Sequence, residues 1–222
     1  MITAVFLDAL GTLVELQPPA PRLRARLSEA GFTVSEERAA AGIAAEIEYY
    51  LANHLDGADH ASLDDLRDRC AAVMMDALRL DGLDHATARW AMLAALEFRP
   101  YDDVVPALTA LRDGGHRLYI VSNWDCSLPE WLGPPRLLDL VDAVVTSADV
   151  GAVKPDARIF ERALALAGVG PEQVVHVGDS LENDVAGARS LGIRAVLLQR
   201  AGEPPAGVES VRSLGELPPL LA

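Results

Sequence analysis

Residues Ala4-Val5-Phe6-Leu7-Asp8-Ala9-Leu10-Gly11-Thr12-Leu13 join a short apolar run to an aspartate and a glycine. An apolar run without polar alternation is typical of a strand that is buried on both faces of a parallel sheet. Asp8 then lies at the carboxyl end of this strand, the edge at which open α/β sheets bind ligands. Gly11 permits a tight turn with the backbone close to a ligand. The stretch therefore predicts a carboxylate at the mouth of a parallel sheet.

Further apolar runs of similar length predict the other strands, at residues 118–121, 143–145, 174–177 and 195–198. Helical spacing of apolar residues lies between the later runs, at residues 102–112, 156–167 and 182–191. Strands that alternate with helices indicate βαβ units. We therefore predict an α/β fold with a Rossmann-like, doubly wound parallel sheet.

Residues 16–99 break this alternation, because their apolar spacing is helical throughout and contains no convincing strand. Four helices are predicted there, at about 21–30, 35–55, 62–80 and 84–97. Prolines at 18, 19 and 21 mark the entry to this segment, and Pro100 marks the return. The predicted organisation is a core domain of residues 1–15 and 100–222, with a four-helix bundle of residues 16–99 inserted after the first strand.

Composition limits the partners of the chain. Its 19 Lys and Arg against 33 Asp and Glu give a formal net charge of −14, which repels nucleic acid and anionic membranes. We expect a small-molecule substrate, with no nucleic-acid or membrane partner. The N-terminus lacks the pattern of a signal peptide, so a cytoplasmic location is expected. The oligomeric state stays open between monomer and homodimer.

Polar residues also follow the second and third strands of the predicted core. The hydroxyl of Ser122 and the amides after it, at Asn123, can bind anionic oxygens, or they can form an ordinary turn. Lys154 is the only lysine in a chain with 18 arginines. It precedes Pro155 and Asp156, which suit the start of a helix. It is either a compact positive charge beside a helix N-terminus or a solvated lysine left by chance.

The fourth core strand is followed by Asp179, and Asp184 comes about one helical turn later. These carboxylates would suit Mg²⁺ if they face Asp8, since Mg²⁺ prefers hard oxygen ligands. Alternatively, acidic residues at 182 and 184 are favourable charges in a first helical turn. Because all these groups follow successive strands at one sheet edge, we favour a joint site.

These motifs together resemble the haloacid dehalogenase superfamily, in the branch with a helical cap inserted after the first strand. Four segments match its motifs in order: DALGTL at 8–13, VSN at 121–123, VKPD at 153–156 and GDSLEND at 178–184. The match covers nearly the whole chain. It implies that residues 16–99 form a cap that closes over the site and selects substrates.

The resemblance also implies roles for single residues. Asp8 would attack the substrate and form a covalent aspartyl intermediate, while Ser122 and Lys154 would hold the transferred group and the nucleophile. The implied substrate-binding residues are Ser122, Asn123 and Lys154, and the implied Mg²⁺ ligands are Asp8, the backbone carbonyl of Leu10, Asp179 and Asp184.

Leu10 departs from the pattern of the family's phosphatases, which usually read Asp-x-Asp-Gly-Thr. The second aspartate is their general acid, and such a group commonly contributes ~10²–10⁴-fold in rate. One interpretation is a phosphatase limited to good leaving groups, such as aryl or acyl phosphates. Another is a phosphatase that takes its proton from His54, Glu46 or Glu48, although these are expected on helix surfaces.

Two other functions remain open. A 2-haloacid dehalogenase releases halide without protonation, but that family reads Asp-x-Tyr-Gly-Thr and lacks the acidic metal pair. A non-catalytic ligand-binding protein is the second alternative. A Schiff-base phosphonate hydrolase is excluded, because it needs a cap lysine. The sequence favours a Mg²⁺-dependent phosphatase on a small phosphate ester and does not identify the substrate.

Overall fold

The computed structural model of the protein describes residues 1–132 and 137–222. These residues form two compact units. The first contains Met1–Glu15 and Pro100–Ala222, and the second contains Leu16–Arg99. In the part of the chain that is described, no helix combines the length and apolar character needed to cross a bilayer.

The first unit is built on a six-stranded sheet in which all neighbouring strands are parallel. The sheet order is β5-β4-β1-β6-β7-β8, and the short strands β2 and β3 pair separately. The strands are β1 Ala4–Leu7, β2 Val14–Leu16, β3 Phe98–Pro100, β4 Arg117–Ser122, β5 Ala143–Thr146, β6 Val174–Gly178, β7 Arg194–Leu198 and β8 Ser210–Val211. The predicted α/β fold with a parallel sheet is confirmed.

The centre of the sheet is β1, and its position follows from its composition. All four of its residues are buried, as expected for a strand covered on both faces. It pairs with β4 on one side and β6 on the other, so that Leu7 lies opposite both Ile120 and Val177. The chain runs outward from β1 through β4 and β5, then returns to β6 on the opposite side. Such a reversal of strand order opens a crevice at the carboxyl ends of the central strands.

Helices complete both units. The second unit contains α1 Pro19–Glu29, α2 Glu36–Asn53, α3 His60–Leu78 and α4 His85–Ala95. The first unit contains α5 Val104–Asp113, α6 Leu128–Leu132, α7 Ser147–Val150, α8 Ala157–Ala167, α9 Gly187–Ser190 and α10 Leu217–Leu221.

Aromatic side chains pack in the core of the first unit. Phe6 meets Tyr119 edge to face with ring centroids 5.6 Å apart, and Phe160 from α8 meets His176 of β6 in the same way at 5.0 Å. Such pairs add stabilisation beyond the area that they bury. The contact brings α8, which follows Lys154 and Pro155, against the strand that ends at Gly178.

Side-chain caps define where helices of the second unit begin. Ser35 accepts a hydrogen bond from the amide of Arg38 at the start of α2, and Asp84 accepts one from the amide of Thr87 at the start of α4. Asp59 and Ser62 form a reciprocal capping box at the start of α3. These caps satisfy amides that have no partner inside the helix.

Several elements differ from the prediction. The short strands β2 and β3 lie at the ends of the inserted segment, and β8 adds a sixth strand to the sheet. The predicted helix 182–191 is a π-helix over Leu181–Ala186 that continues as α9. Its first turn is wide because the amides of both Asp184 and Val185 donate to the carbonyl of Ser180. A π-turn of this kind is frequent at functional sites.

Candidate active site

The carboxylate of Asp8 is buried at the carboxyl end of β1, with only 8% of the residue exposed. Its amide continues the sheet by donating to the carbonyl of Val177. Its Oδ1 accepts a hydrogen bond from Ser122 Oγ at 2.8 Å and one from Lys154 Nζ at 2.7 Å. Groups from three separate segments of the chain therefore meet at one oxygen.

Lys154 is 3% exposed, so it is not a solvated surface lysine. Its ammonium lies 2.7 Å from Asp8 Oδ1 and 2.6 Å from Asp184 Oδ1. Burial alone would lower the pKa of Lys154, but the negative charges of Asp8 and Asp184 outweigh burial and raise that pKa above its ordinary value. Lys154 is thus a buried cation that links two carboxylates.

The backbone of Lys154 is held by the side chain of Asn123. Asn123 Oδ1 accepts from the amide of Lys154 at 2.7 Å, and Asn123 Nδ2 donates to the carbonyl of Lys154 at 3.1 Å. A side-chain amide with both groups engaged fixes the backbone on either side of one residue. In this structure both groups of the Asn123 side chain therefore hold the backbone of Lys154.

Asp184 is almost completely buried, and three donors surround its carboxylate. Oδ1 accepts from Lys154 Nζ at 2.6 Å and from His176 Nε2 at 2.8 Å, and Oδ2 accepts from the amide of Ser180 at 2.9 Å. Burial would raise the pKa of Asp184, but Lys154 and His176 hold it well below its ordinary value. A Cβ at position 178 would come 2.1 Å from Asp184 Cγ, so only glycine fits there.

His176 was not among the residues that sequence reasoning selected. It is completely buried on β6, and its Nε2 lies 2.8 Å from Asp184 Oδ1. The available signal was a single polar residue inside the apolar run Val174-Val175-His176-Val177. A buried imidazole needs a hydrogen-bond partner, and here Asp184 supplies one.

Asp179 is exposed and lies beside the turn that follows Asp8. Partial loss of water around its carboxyl, together with the negative charges of Asp8 and Asp184, raises the pKa of Asp179 to about 6. Gly11 makes the turn possible, since it has φ +81° and a Cβ there would lie 2.1 Å from Asp179 Oδ2. The backbone of the turn thus runs directly against this carboxyl.

The three carboxylates can hold a cation together. Asp8, Asp179 and Asp184 each offer an oxygen, and these oxygens all lie within 4.8 Å of one another. Three hard oxygen donors in one place suit Mg²⁺. The raised pKa of Asp179 comes first from burial of its carboxyl and then from the negative charges of Asp8 and Asp184, which a bound cation would offset. The residues present therefore fit a divalent cation.

Leu10 occupies the position at which related phosphatases carry a proton-donating aspartate. Its residue is 44% exposed, and its backbone forms a bridge with Val14 in the turn after β1. A leucine side chain can neither donate nor accept a proton.

The expectation that Glu46 and His54 are helix-surface groups is wrong. Glu46 is 5% exposed on the inward face of α2, and His54 is 7% exposed at the end of that helix. Glu48 is exposed as expected. Burial raises the pKa of Glu46 to about 7, although a hydrogen bond with Cys70 opposes this rise.

Comparison with known proteins finds one family model and several curated relatives that match this chain. The model of the haloacid dehalogenase-like hydrolase family matches residues 2–192. The glyceraldehyde 3-phosphate phosphatase of Methanothermobacter thermautotrophicus is 38% identical over 102 residues, which are 45% of this chain and 45% of that protein. The (S)-2-haloacid dehalogenase 4A of Burkholderia cepacia is 34% identical over 137 residues, 59% of each chain.

Among solved structures, a HAD phosphatase from Thermococcus onnurineus has a TM-score of 0.66 and 30% sequence identity. The alignment covers 99% of this chain and 98% of that one. By contrast, the chain spans only about half the length of the curated relatives that it matches.

Proposed function

Because this chain belongs to the haloacid dehalogenase-like hydrolase family, we propose that it is a Mg²⁺-dependent phosphatase of a small phosphate ester, with Asp8 as the nucleophile. The observation that carries the proposal is the ammonium of Lys154, which lies between Asp8 and Asp184 while Asp179 completes a cluster of three carboxylates. A buried nucleophile beside a cation and a metal-binding group has the parts that phosphoryl transfer needs.

Each residue of the cluster has a definite task in this reaction. Ser122 and Lys154 fix the orientation of the Asp8 carboxylate through Oδ1, so that it meets the phosphorus atom in a constant position. Asn123 is a positioning residue, since it holds the peptide groups on both sides of the Lys154 backbone. His176 and the amide of Ser180 orient Asp184 in the same sense.

The reaction proceeds in two displacements. An oxygen of Asp8 forms a bond to phosphorus while the bond from phosphorus to the leaving oxygen breaks, which gives an aspartyl phosphate and releases the leaving group as an anion that takes its proton from water. Water then attacks this phosphorus, releases inorganic phosphate and restores the Asp8 carboxylate. Asp8, Asp179, Asp184 and the carbonyl of Leu10 would hold Mg²⁺, which would supply positive charge to offset the negative charge of the phosphoryl oxygens.

Leu10 restricts the range of leaving groups. An alkoxide needs a proton as it departs, and Leu10 cannot supply one. Aryl and acyl phosphates release phenolate or carboxylate anions, which are weakly basic and depend little on a general acid. We therefore assign the protein to phosphate esters or anhydrides with acidic leaving groups. The Leu16–Arg99 unit is assigned the role of a substrate-selecting cap.

A 2-haloacid dehalogenase is the second candidate, and Leu10 is the observation that favours it. Halide leaves as a stable anion, so a site without a general acid suits this reaction. The similarity to the Burkholderia cepacia dehalogenase supports the same possibility. The cluster of Asp179 and Asp184 with Asp8 argues for the metal-dependent reaction instead.

Hydrolysis of 4-nitrophenyl phosphate and of 2-chloropropionate, each with Mg²⁺ and with EDTA, separates the candidates. The proposal predicts phosphate release that requires Mg²⁺ and no halide release. Halide release that EDTA leaves unchanged would assign the protein to the dehalogenases. A folded protein that binds Mg²⁺ and is silent on both substrates would favour a non-catalytic ligand-binding role.

A further inference from the structure

Arg200 lies two residues beyond the end of β7, and its guanidinium reaches the turn that follows Asp8. Its Nη2 donates to the carbonyl of Thr12 at 2.7 Å, and its Nε donates to the carbonyl of Gly11 at 3.4 Å. Nη1 binds Asp103 Oδ2 at 3.0 Å. The plane of the group also lies over the ring of Tyr101, 3.7 Å from its centroid.

The turn that Arg200 contacts is closed by its own hydrogen bonds. The amides of Leu13 and Val14 donate to the carbonyl of Ala9 at 2.8 Å and 2.9 Å, and the amide of Gly11 donates to the carbonyl of Val14 at 2.8 Å. The carbonyls of Gly11 and Thr12 take Arg200 as their donor. Arg200 therefore attaches a self-contained turn to the sheet edge.

The position of Arg200 is itself fixed. Asp103 Oδ2 accepts from Ser213 Oγ and from the amide of Leu214, each at 2.8 Å, in addition to Arg200. Tyr101 donates its amide to the carbonyl of Leu13 at 3.1 Å, so the ring under Arg200 is tied to the same turn. The guanidinium thus has directed bonds on three sides and an aromatic face on the fourth.

We propose that Arg200 is a positioning residue for the reaction at Asp8. It holds the 9–14 turn so that Asp8 and the backbone of Leu10 keep a constant relation to Asp179, against which Gly11 packs. The effect on turnover rests on the proposed function, whereas the effect on the turn does not. A displacement of about 1 Å at a reacting group can cost ~10²-fold in rate.

Arg194 provides a matched control on the same strand. It starts β7 at the opposite end from the site and makes a bidentate ion pair with Glu209, at 3.0 Å and 2.5 Å. Replacing Arg194 therefore also removes an arginine with two hydrogen bonds to a partner, but at the start of β7, away from the carboxyl end where the proposed site residues lie.

The test compares the variants Arg200→Gln, Arg200→Lys and Arg194→Gln. Steady-state kinetics with 4-nitrophenyl phosphate are combined with hydrogen exchange of the peptide that contains residues 9–14. We expect Arg200→Gln to lower kcat by at least about tenfold with KM changed less than about threefold. Its 9–14 amides should exchange faster. Arg200→Lys should recover little, because an ammonium cannot bind two carbonyls and a carboxylate in one plane.

Arg194→Gln should leave kcat and the exchange of residues 9–14 at wild-type values. The proposal is overturned if Arg200→Gln matches Arg194→Gln in both measurements, or if Arg200→Lys has the kcat of the wild-type protein. Inactivity of the wild-type protein on phosphates would contradict the proposed function alone. Hydrogen exchange would still decide whether Arg200 holds the turn.

Discussion

The side-chain nitrogen of Lys154 lies 2.6 Å from Oδ1 of Asp184. The same atom lies 2.7 Å from Oδ1 of Asp8, so one buried ammonium joins the proposed nucleophile to a proposed metal ligand. A compact ammonium can lie between two carboxylates at these distances, whereas a planar guanidinium is larger and binds in a fork. This geometry gives a reason for one lysine in a chain with 18 arginines.

Lys154→Arg should therefore lower kcat by roughly 10²-fold, since the larger group must displace Asp8 or Asp184 from its position. The variant is measured by turnover of 4-nitrophenyl phosphate per folded molecule. Arg112→Lys serves as the control, because it exchanges the same two residue types at an exposed ion pair with Asp142. Wild-type kcat in Lys154→Arg would show that the size of the cation is unimportant.

Asp8→Asn should abolish turnover and leave the fold intact. Asparagine has the shape of aspartate but lacks the negative charge that makes the carboxylate a nucleophile. Mass spectrometry after rapid acid quench should find a phosphoryl adduct on the wild-type protein and none on the variant. Full activity of a folded Asp8→Asn protein would mean that the covalent mechanism is wrong.

Leu10→Asp should extend activity to alkyl phosphates. Because Leu10 is 44% exposed, the new carboxyl stays in contact with water and the fold should tolerate it. A positioned acid commonly contributes ~10²–10⁴-fold, so the gain should be large for alkyl phosphates and small for aryl phosphates. Leu10→Asn has the same shape without the acidic proton and should show no gain. Equal activity of both variants would argue against a missing general acid.

Gly11→Ala should weaken Mg²⁺ binding, because the new Cβ would meet Asp179 Oδ2. It should also cost about 1–3 kcal/mol of unfolding free energy for the positive φ. Gly115→Ala is the control, since its φ is +86° and no atom of the described residues lies within 4 Å of a Cβ there. Calorimetric titration with Mg²⁺ separates the two effects. Both variants should lose stability, and only Gly11→Ala should lose affinity.

The fold class was accessible from the sequence because its signals are local. Strands buried on both faces appear as unbroken apolar runs, and α8 shows its inward face through residues such as Ile159, Phe160 and Ala163. The groups at the sheet edge could be proposed for a related reason. The carboxyl ends of parallel strands lie at one edge of the sheet, so the first polar residues after neighbouring strands lie close together.

Contacts between distant segments were beyond such reasoning. Arg200 binds the carbonyl of Thr12 across 188 positions, and no local pattern distinguishes it from the other arginines. His176 was visible only as a polar residue in a strand. Glu46 shows the opposite case. It continues the buried stripe of Ala39, Gly42 and Ile43 on α2, but its charge argued for the surface.

The burial of Glu46 makes the stability of the Leu16–Arg99 unit depend on pH. Its pKa is about 7 in the folded protein against an ordinary value of 4.5, because burial disfavours the charged form. A carboxyl whose pKa is raised by folding contributes stability that is fully present below its pKa in the unfolded protein. This contribution is lost as the pH rises through its pKa in the folded protein. The free energy of unfolding should therefore fall between about pH 4.5 and pH 7, by about 3 kcal/mol in total.

Glu46→Gln should remove this dependence, since glutamine keeps the shape and stays neutral. Urea unfolding at about pH 5.5 and about pH 8 should show a loss of about 2 kcal/mol in the wild-type protein that the variant lacks. Glu48→Gln, on the exposed side of the same helix, should behave as the wild type does. If Glu46→Gln loses as much stability as the wild type between the two pH values, another group carries the titration. If instead the wild type loses no stability over this range, the folded protein holds Glu46 as a charged group.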